Sequence, residues 1–283
     1  MAYLTLSGIE VRCSASKGLT QKPTLRGPRV RTFSGWAQSG TRSRDFIWSG
    51  GTPPMPMADA QALRRLIDGD GHSWSFEANG DTGLVSSKGL AATVVGTVGV
   101  GPGSSTPHFG TGGLVLAAGA SVTWATATTG NYVAGAWLKG AFSAGVWQHV
   151  VVAPWADRTW LNGEEWLAYG DLEADTLIGL GVGLRAPGAF TISNHPGASG
   201  PLDCDDLVLL PYGVPESWVP QWAAAATPFG PLPYHRADGT GIPGPFQVLG
   251  QAGDAQAVEY DEGGARVQGQ YMDFELWQQP EAA

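Results

Sequence analysis

Apolar and polar residues alternate with a period of two through much of the chain, and Gly or Pro breaks the alternation every ten to fifteen residues. Leu4 and Leu6, then Ile9 and Val11, flank Ser7-Gly8 and predict two short strands around a tight turn. A basic, Pro-containing stretch from Lys22 to Arg31 separates them from two further strand-like blocks, Thr32 to Gln38 and Arg42 to Trp48. Helical spacing is clear at one place: after TPPMP, Ala60, Leu63, Leu66 and Ile67 share a face, and Gly69 and Gly71 end the run. Ser73 to Phe76 returns to alternation. Beyond it, strands are read at Leu114–Leu116, Ser121–Trp124, Tyr132–Leu138, Trp147–Val152, Trp160–Leu161, Leu177–Leu184 and Leu207–Leu210. The dipeptide Asn162-Gly163 predicts a type I′ hairpin, because both central residues of that turn need positive φ. Pro215 to Ala226 allows a short helix, and the chain closes on two predicted strands, Ala265–Gln268 and Met272–Trp277.

Composition sharpens this picture. The 283 residues include 42 Gly, 20 Pro and 12 Trp, and only 14% are charged, a mixture suited to short strands and many turns. The pattern therefore predicts an all-β fold, sandwich or barrel, with one short helix near residues 57–68. Residues 77–222 are Gly-, Val-, Thr- and Trp-rich and nearly free of Lys and Arg. A terminal block as short as 223–283 seldom folds alone, so its partner strands are expected in residues 1–76, with 77–222 inserted between them.

Charge is distributed unevenly. Residues 1–65 hold ten of the sixteen basic residues and three acids, so they carry +7 and the rest carries −16 of the total of −9. Arg26, Arg29, Arg31, Arg42 and Arg44 make this end a candidate assembly surface, on which copies could pack basic end against acidic body. A solvated arm would show the same asymmetry. The overall negative charge argues against a general nucleic-acid partner, and no run approaches the 18 apolar residues of a membrane span. The N-terminus lacks a charged n-region and a continuous apolar core, so folding in a cytoplasm is expected. Cys13 and Cys204, with no C-x-x-C, read as buried thiols rather than a disulfide framework or metal ribbon.

The segment GVWQHVVVAPWADRTWLNGEEW (Gly145 to Trp166) resembles the central hairpin of laminin G-like and pentraxin-like jelly rolls, through Trp147, His149, Val150, Trp160, Leu161, Asn162 and Gly163. DCDDLVLLPYGVPESW resembles the closing strand and exit helix of those domains, and HFGTGGLVLAAGASV an early strand. The flanks, with ADAQALRRLIDGDGHSWSF, SSKGL, DDLVLLPY and the terminal Phe274-x-Leu276, resemble distal-tail and minor tail proteins of long-tailed bacteriophages. That resemblance implies a tail-ring β-domain from 1–76 plus 223–283 and an inserted concanavalin A-like jelly roll at 77–222. It implies a structural virion protein at the tail tip, assembled in the host cytoplasm into a ring, a hexamer in the family. Tail tube and tail hub proteins would be its partners, with a host surface glycan as a further one.

Catalytic patterns are sparse. Glycoside hydrolysis needs two carboxylates about 5 to 9 Å apart, and the nearest runs are Glu164-Glu165 and Asp171, Glu173, Asp175, with no strand signature around the second. Asp203, Asp205 and Asp206 could supply part of a calcium shell, although an acidic pair before a strand commonly bonds nearby backbone. The histidines 72, 108, 149, 195 and 235 show no zinc spacing. No G-x-S-x-G elbow occurs, and Gly96 to Ser104 reads as a loop lacking the Lys-Ser/Thr of a phosphate cradle. No cofactor and no enzymatic activity are implied. Trp155, Trp160, Trp166 and Tyr169 crowd one hairpin and are the candidate glycan-stacking residues, with core packing as their alternative role.

Overall fold

A computed structural model describes residues 3–6, 8–14, 16, 18–26, 29–31, 37–39, 43–125, 132–140, 143, 145–167, 182–185, 189–225, 233–236 and 246–278. Strands make up 51% of the chain, so the β expectation holds. Three antiparallel sheets carry the fold, with two α-helices among the described residues. The chain divides into two compact units.

Unit 1 comprises residues 1–6, 10–69 and 232–283. Its strands are β1 (Tyr3–Leu6), β2 (Ile9–Arg12), β3 (Leu19–Arg26), β4 (Arg29–Arg31), β5 (Ala37–Ser39), β6 (Ser43–Gly51), β7 (Met55–Pro56), β20 (Pro233–Arg236), β21 (Phe246–Glu262) and β22 (Ala265–Gln278). The main sheet runs β2-β1-β20-β21-β22-β6-β3, with β7 also on β22, and β4 and β5 form a separate ribbon. No closed barrel forms among the described residues. Strands from both ends of the sequence meet where Leu276 faces Trp48 and Phe274 faces Gly50. Helix α1 (Met57–Ile67) buries Ala60, Ala62, Leu63, Leu66 and Ile67 and lies against β21 and β22. It ends where Gly69, at φ +73°, returns its N–H to Leu66. The Asp68 carboxylate then accepts the Ala252 N–H at 3.0 Å.

Two sequence expectations change here. The basic stretch from Lys22 is largely strand, and Pro23 is accommodated because β3 is the end strand of the sheet. The two closing strands are one 14-residue strand, paired over its length with the 17-residue β21 across a stretch whose Gly and Ala gave no strand pattern. Of the block Thr32 to Gln38, residues 32–36 lie outside the described residues.

Unit 2 comprises residues 7–9 and 70–231. Its strands are β8 (His72–Trp74), β9 (Ala92–Val95), β10 (Val98–Pro102), β11 (Gly112–Leu116), β12 (Ser121–Trp124), β13 (Val133–Lys139), β14 (Gln148–Ala153), β15 (Arg158–Leu161), β16 (Glu164–Leu167), β17 (Val182–Arg185), β18 (Phe190–Asn194) and β19 (Leu202–Leu210). One sheet runs β10-β11-β19-β13-β14-β15-β16, with β8 on β19, and the other runs β17-β18-β12-β9. Both contribute to one core: Leu114, Ala136, Val150 and Leu207 from the first meet Val122, Trp124, Phe190 and Ile192 from the second. Trp74, Trp124 and Phe190 stack inside it, and Trp124 Nε1 donates to the Leu84 carbonyl at 2.7 Å. The Gly-rich run expected as a loop contains β10, an end strand whose partly buried Val98 and Val100 pack against the core. A second helix, α2 (Trp218–Ala223), buries Trp218, Val219 and Trp222. Both cysteines are buried free thiols. No helix among the described residues is long and apolar enough to cross a membrane.

Candidate binding surface

In unit 2, strand alternation sends Ala134, Ala136 and Leu138 of β13, and Val150 and Val152 of β14, into the core. Trp137, Lys139 and His149 therefore lie on the opposite face of the sheet. On β19 the same face receives Asp203 and Asp205. The next residue, Asp206, takes φ +48°, and the β13–β19 register shifts by one residue there, so the acidic pair forms a β-bulge. Trp137 stands opposite Asp205 on one side and His149 on the other.

The loop before β11 folds down onto this row. Asp205 Oδ2 accepts the His108 and Phe109 N–H groups at 2.9 and 2.8 Å, and its Oδ1 accepts the Asp206 N–H at 2.8 Å. The clamp places the His108 ring on Trp137, with centroids 3.8 Å apart, and 5.8 Å from Trp147. Lys139 pairs with Asp203 at 2.8 Å and sits 4.8 Å from the Trp147 ring. The outcome is a half-buried platform of two indoles, an imidazole and the Phe109 ring beside an ion pair, a surface on which a flat apolar ring face can stack.

The platform's titrating groups are strongly perturbed. Burial pushes the Asp205 carboxyl up to about 6, Glu77 adds to the rise, and the three backbone N–H bonds oppose it. Burial holds the His149 imidazole down at about 4, helped by His108, and burial also lowers His108 itself. His149 Nδ1 is sealed from solvent with no hydrogen-bond partner among the described residues. The backbone of His149 is tied to the hairpin turn: its N–H donates to Asn162 Oδ1 at 2.9 Å, and its carbonyl accepts the Asn162 N–H at 2.7 Å. Asn162 and Gly163 have φ +53° and +86°, as the type I′ expectation requires.

The residues singled out from the sequence are dispersed. Trp160 is buried, Trp166 is exposed at the end of the same hairpin, Trp155 lies in a short 3₁₀ turn with its side chain undescribed, and Tyr169 lies outside the described residues. Asp203, Asp205 and Asp206 do not converge, since the first pairs with Lys139 and the second clamps a loop. Among the described residues no group of three potential metal ligands occurs. Glu164 and Glu165 are consecutive exposed residues of β16, whereas residues 171–175 lie outside the described residues. Arg26, Arg29, Arg31 and Arg44 fall on described strands with undescribed side chains, and Arg42 lies outside them. Trp137 and His108 were not singled out for binding; only the folded sheet brings them together. A scan of protein-family models, a search of curated proteins and a search of solved structures each return no match.

Proposed function

We propose that this chain is a structural protein of a bacteriophage tail tip, of the distal-tail or minor-tail kind, which assembles through unit 1 and displays unit 2 as a laminin G-like, concanavalin A-like jelly roll. The observation that carries the reading is the pairing of β6 with β22, which draws strands from both ends of the sequence into one sheet. An element that leaves and re-enters a sheet through neighbouring strands can hold a second unit as an insertion. An open sheet with unpaired edges suits repeated contacts between copies, because symmetry multiplies a modest contact around a ring. In this reading the molecule performs no chemistry; its energy goes into assembly. The test is the mass of the purified chain in solution together with its copy number and axial position in particles. A monomer absent from particles would sink the proposal.

A second role, binding of a glycan by unit 2, is favoured by the half-buried platform of Trp137, Trp147 and His108 beside the Lys139–Asp203 pair. Stacking on indole faces with polar groups at the rim is how sugar rings are commonly held. Trp147→Ala should weaken retention on a glycan array at least tenfold. An array with no signal at high micromolar concentration would dismiss this role and leave the assembly role standing.

A further inference from the structure

The platform of unit 2 has an apolar corner and a polar rim. Trp147 and His108 are half-buried, with rings 5.8 Å apart and inclined at 56°, and Val146 beside Trp147 is 59% exposed. The apolar corner therefore opens to solvent. Its rim is the Lys139–Asp203 pair, on the neighbouring strands β13 and β19. Lys139 Nζ donates to Asp203 at 2.8 Å and to the Thr106 carbonyl at 3.4 Å. An ammonium has three donors and a carboxylate about four acceptor positions, so the pair keeps one donor and about three acceptor positions for a ligand.

That inventory suits hydroxyls. A sugar hydroxyl both donates and accepts, so two adjacent ones can bridge the pair, one giving its proton to Asp203 and the other accepting from Lys139. A carboxylate, sulfate or phosphate on a ligand only accepts, and it meets a rim poor in donors. The field acts in the same direction. Three carboxylates, Glu77, Asp203 and Asp205, hold the loop or the rim against the single ammonium of Lys139. Asp205, although pushed up to about 6, remains charged at neutral pH. Burial lowers both His108 and His149, so neither imidazole adds positive charge there. Residues 70–231 carry thirteen acids and four Lys or Arg, so the surrounding unit is also negative, by nine charges.

We propose that the platform selects neutral pyranosides that combine an apolar ring face with two adjacent hydroxyls, and that it rejects acidic sugars such as uronic acids. The proposal rests on the glycan role above and names the ligand class. The experiment titrates the full chain with the methyl glycosides of glucose, galactose and mannose and with the matching methyl uronides, pairs that differ only at the sixth carbon. Saturation-transfer NMR reads the binding at low and at high salt. At low salt a neutral glycoside should bind about tenfold or more tightly than its uronide, and the gap should narrow as salt screens the carboxylates. In Asp203→Asn the ratio should fall about fivefold because the uronide gains, and misfolding does not produce a gain. Trp147→Ala should remove the signal of both classes. A uronide bound as tightly as its neutral counterpart, or a ratio unchanged in Asp203→Asn, would overturn the selectivity and leave the glycan role standing. Neutral binding that survives Trp147→Ala would place the site elsewhere and overturn the inference. Silence from all six sugars would remove the inference together with the glycan role.

Discussion

The Asp205–Trp137–His149 row makes a sharp prediction about acid, because its two titrating ends respond in opposite directions. Asp205 moves from 3.8 to about 6 on folding, which at 1.36 kcal/mol per pH unit is roughly 3 kcal/mol. A carboxyl raised in the folded state contributes stability that is full below pH 3.8 and lost as pH rises through 6. His149 moves from 6.5 to about 4, also roughly 3 kcal/mol. A histidine lowered in the folded state contributes stability that is present above pH 6.5 and lost as pH falls through 4. Between pH 4 and 6 the two nearly cancel in the wild type. Asp205→Asn removes the compensating gain, so its stability should drop by about 3 kcal/mol relative to wild type between pH 6.5 and 4. A pH-independent offset of about 1–3 kcal/mol from weakened loop bonds adds to this. His149→Phe should show the reverse trend, gaining about 3 kcal/mol relative to wild type over the same range. The double variant should run parallel to wild type. Urea unfolding of all four proteins at half-unit pH steps decides the matter. Parallel curves for the two single variants would refute the reasoning.

Three further outcomes follow from local geometry. Trp124→Phe removes the indole bond to the buried Leu84 carbonyl and leaves a cavity, so unit 2 should lose about 2–4 kcal/mol in chemical denaturation. Asn162→Ala puts a residue that tolerates left-handed backbone less well than Asn at φ +53° and deletes the acceptor for the His149 N–H; a loss of about 1–3 kcal/mol is expected, and Asn162→Gly should relieve the turn strain but not restore the bond. Gly50→Ala would bring a Cβ to 2.7 Å from Phe274 Cζ, so unit 1 should lose about 1–3 kcal/mol, seen as a lower midpoint that Gly50→Ala with Phe274→Leu partly restores.

Period-two alternation was enough to read most strands of unit 2, because a strand with one face in a core must alternate. The α1 stripe and the Asn162-Gly163 turn were legible for similar reasons, since each is written in consecutive residues. Reading failed where an element's partner lay far away. β10 and β21 are rich in Gly and Ala and have weak intrinsic preference, and pairing with β11 and β22 makes them strands. Pro23 disguised β3, whose place at the end of the sheet removes the penalty.

The sequence alone determined the period of its elements, the site of its tight turns and the opposition of a basic segment to an acidic one, because these depend on neighbours a few residues apart. Which tryptophans line a surface was decided by the tertiary structure: Trp160 went inside, and Trp137 met a histidine from 29 residues earlier in the chain. The physical reason is that a strand's alternation fixes two faces without labelling them, and only packing against another sheet, helix or clamped loop determines what each face meets.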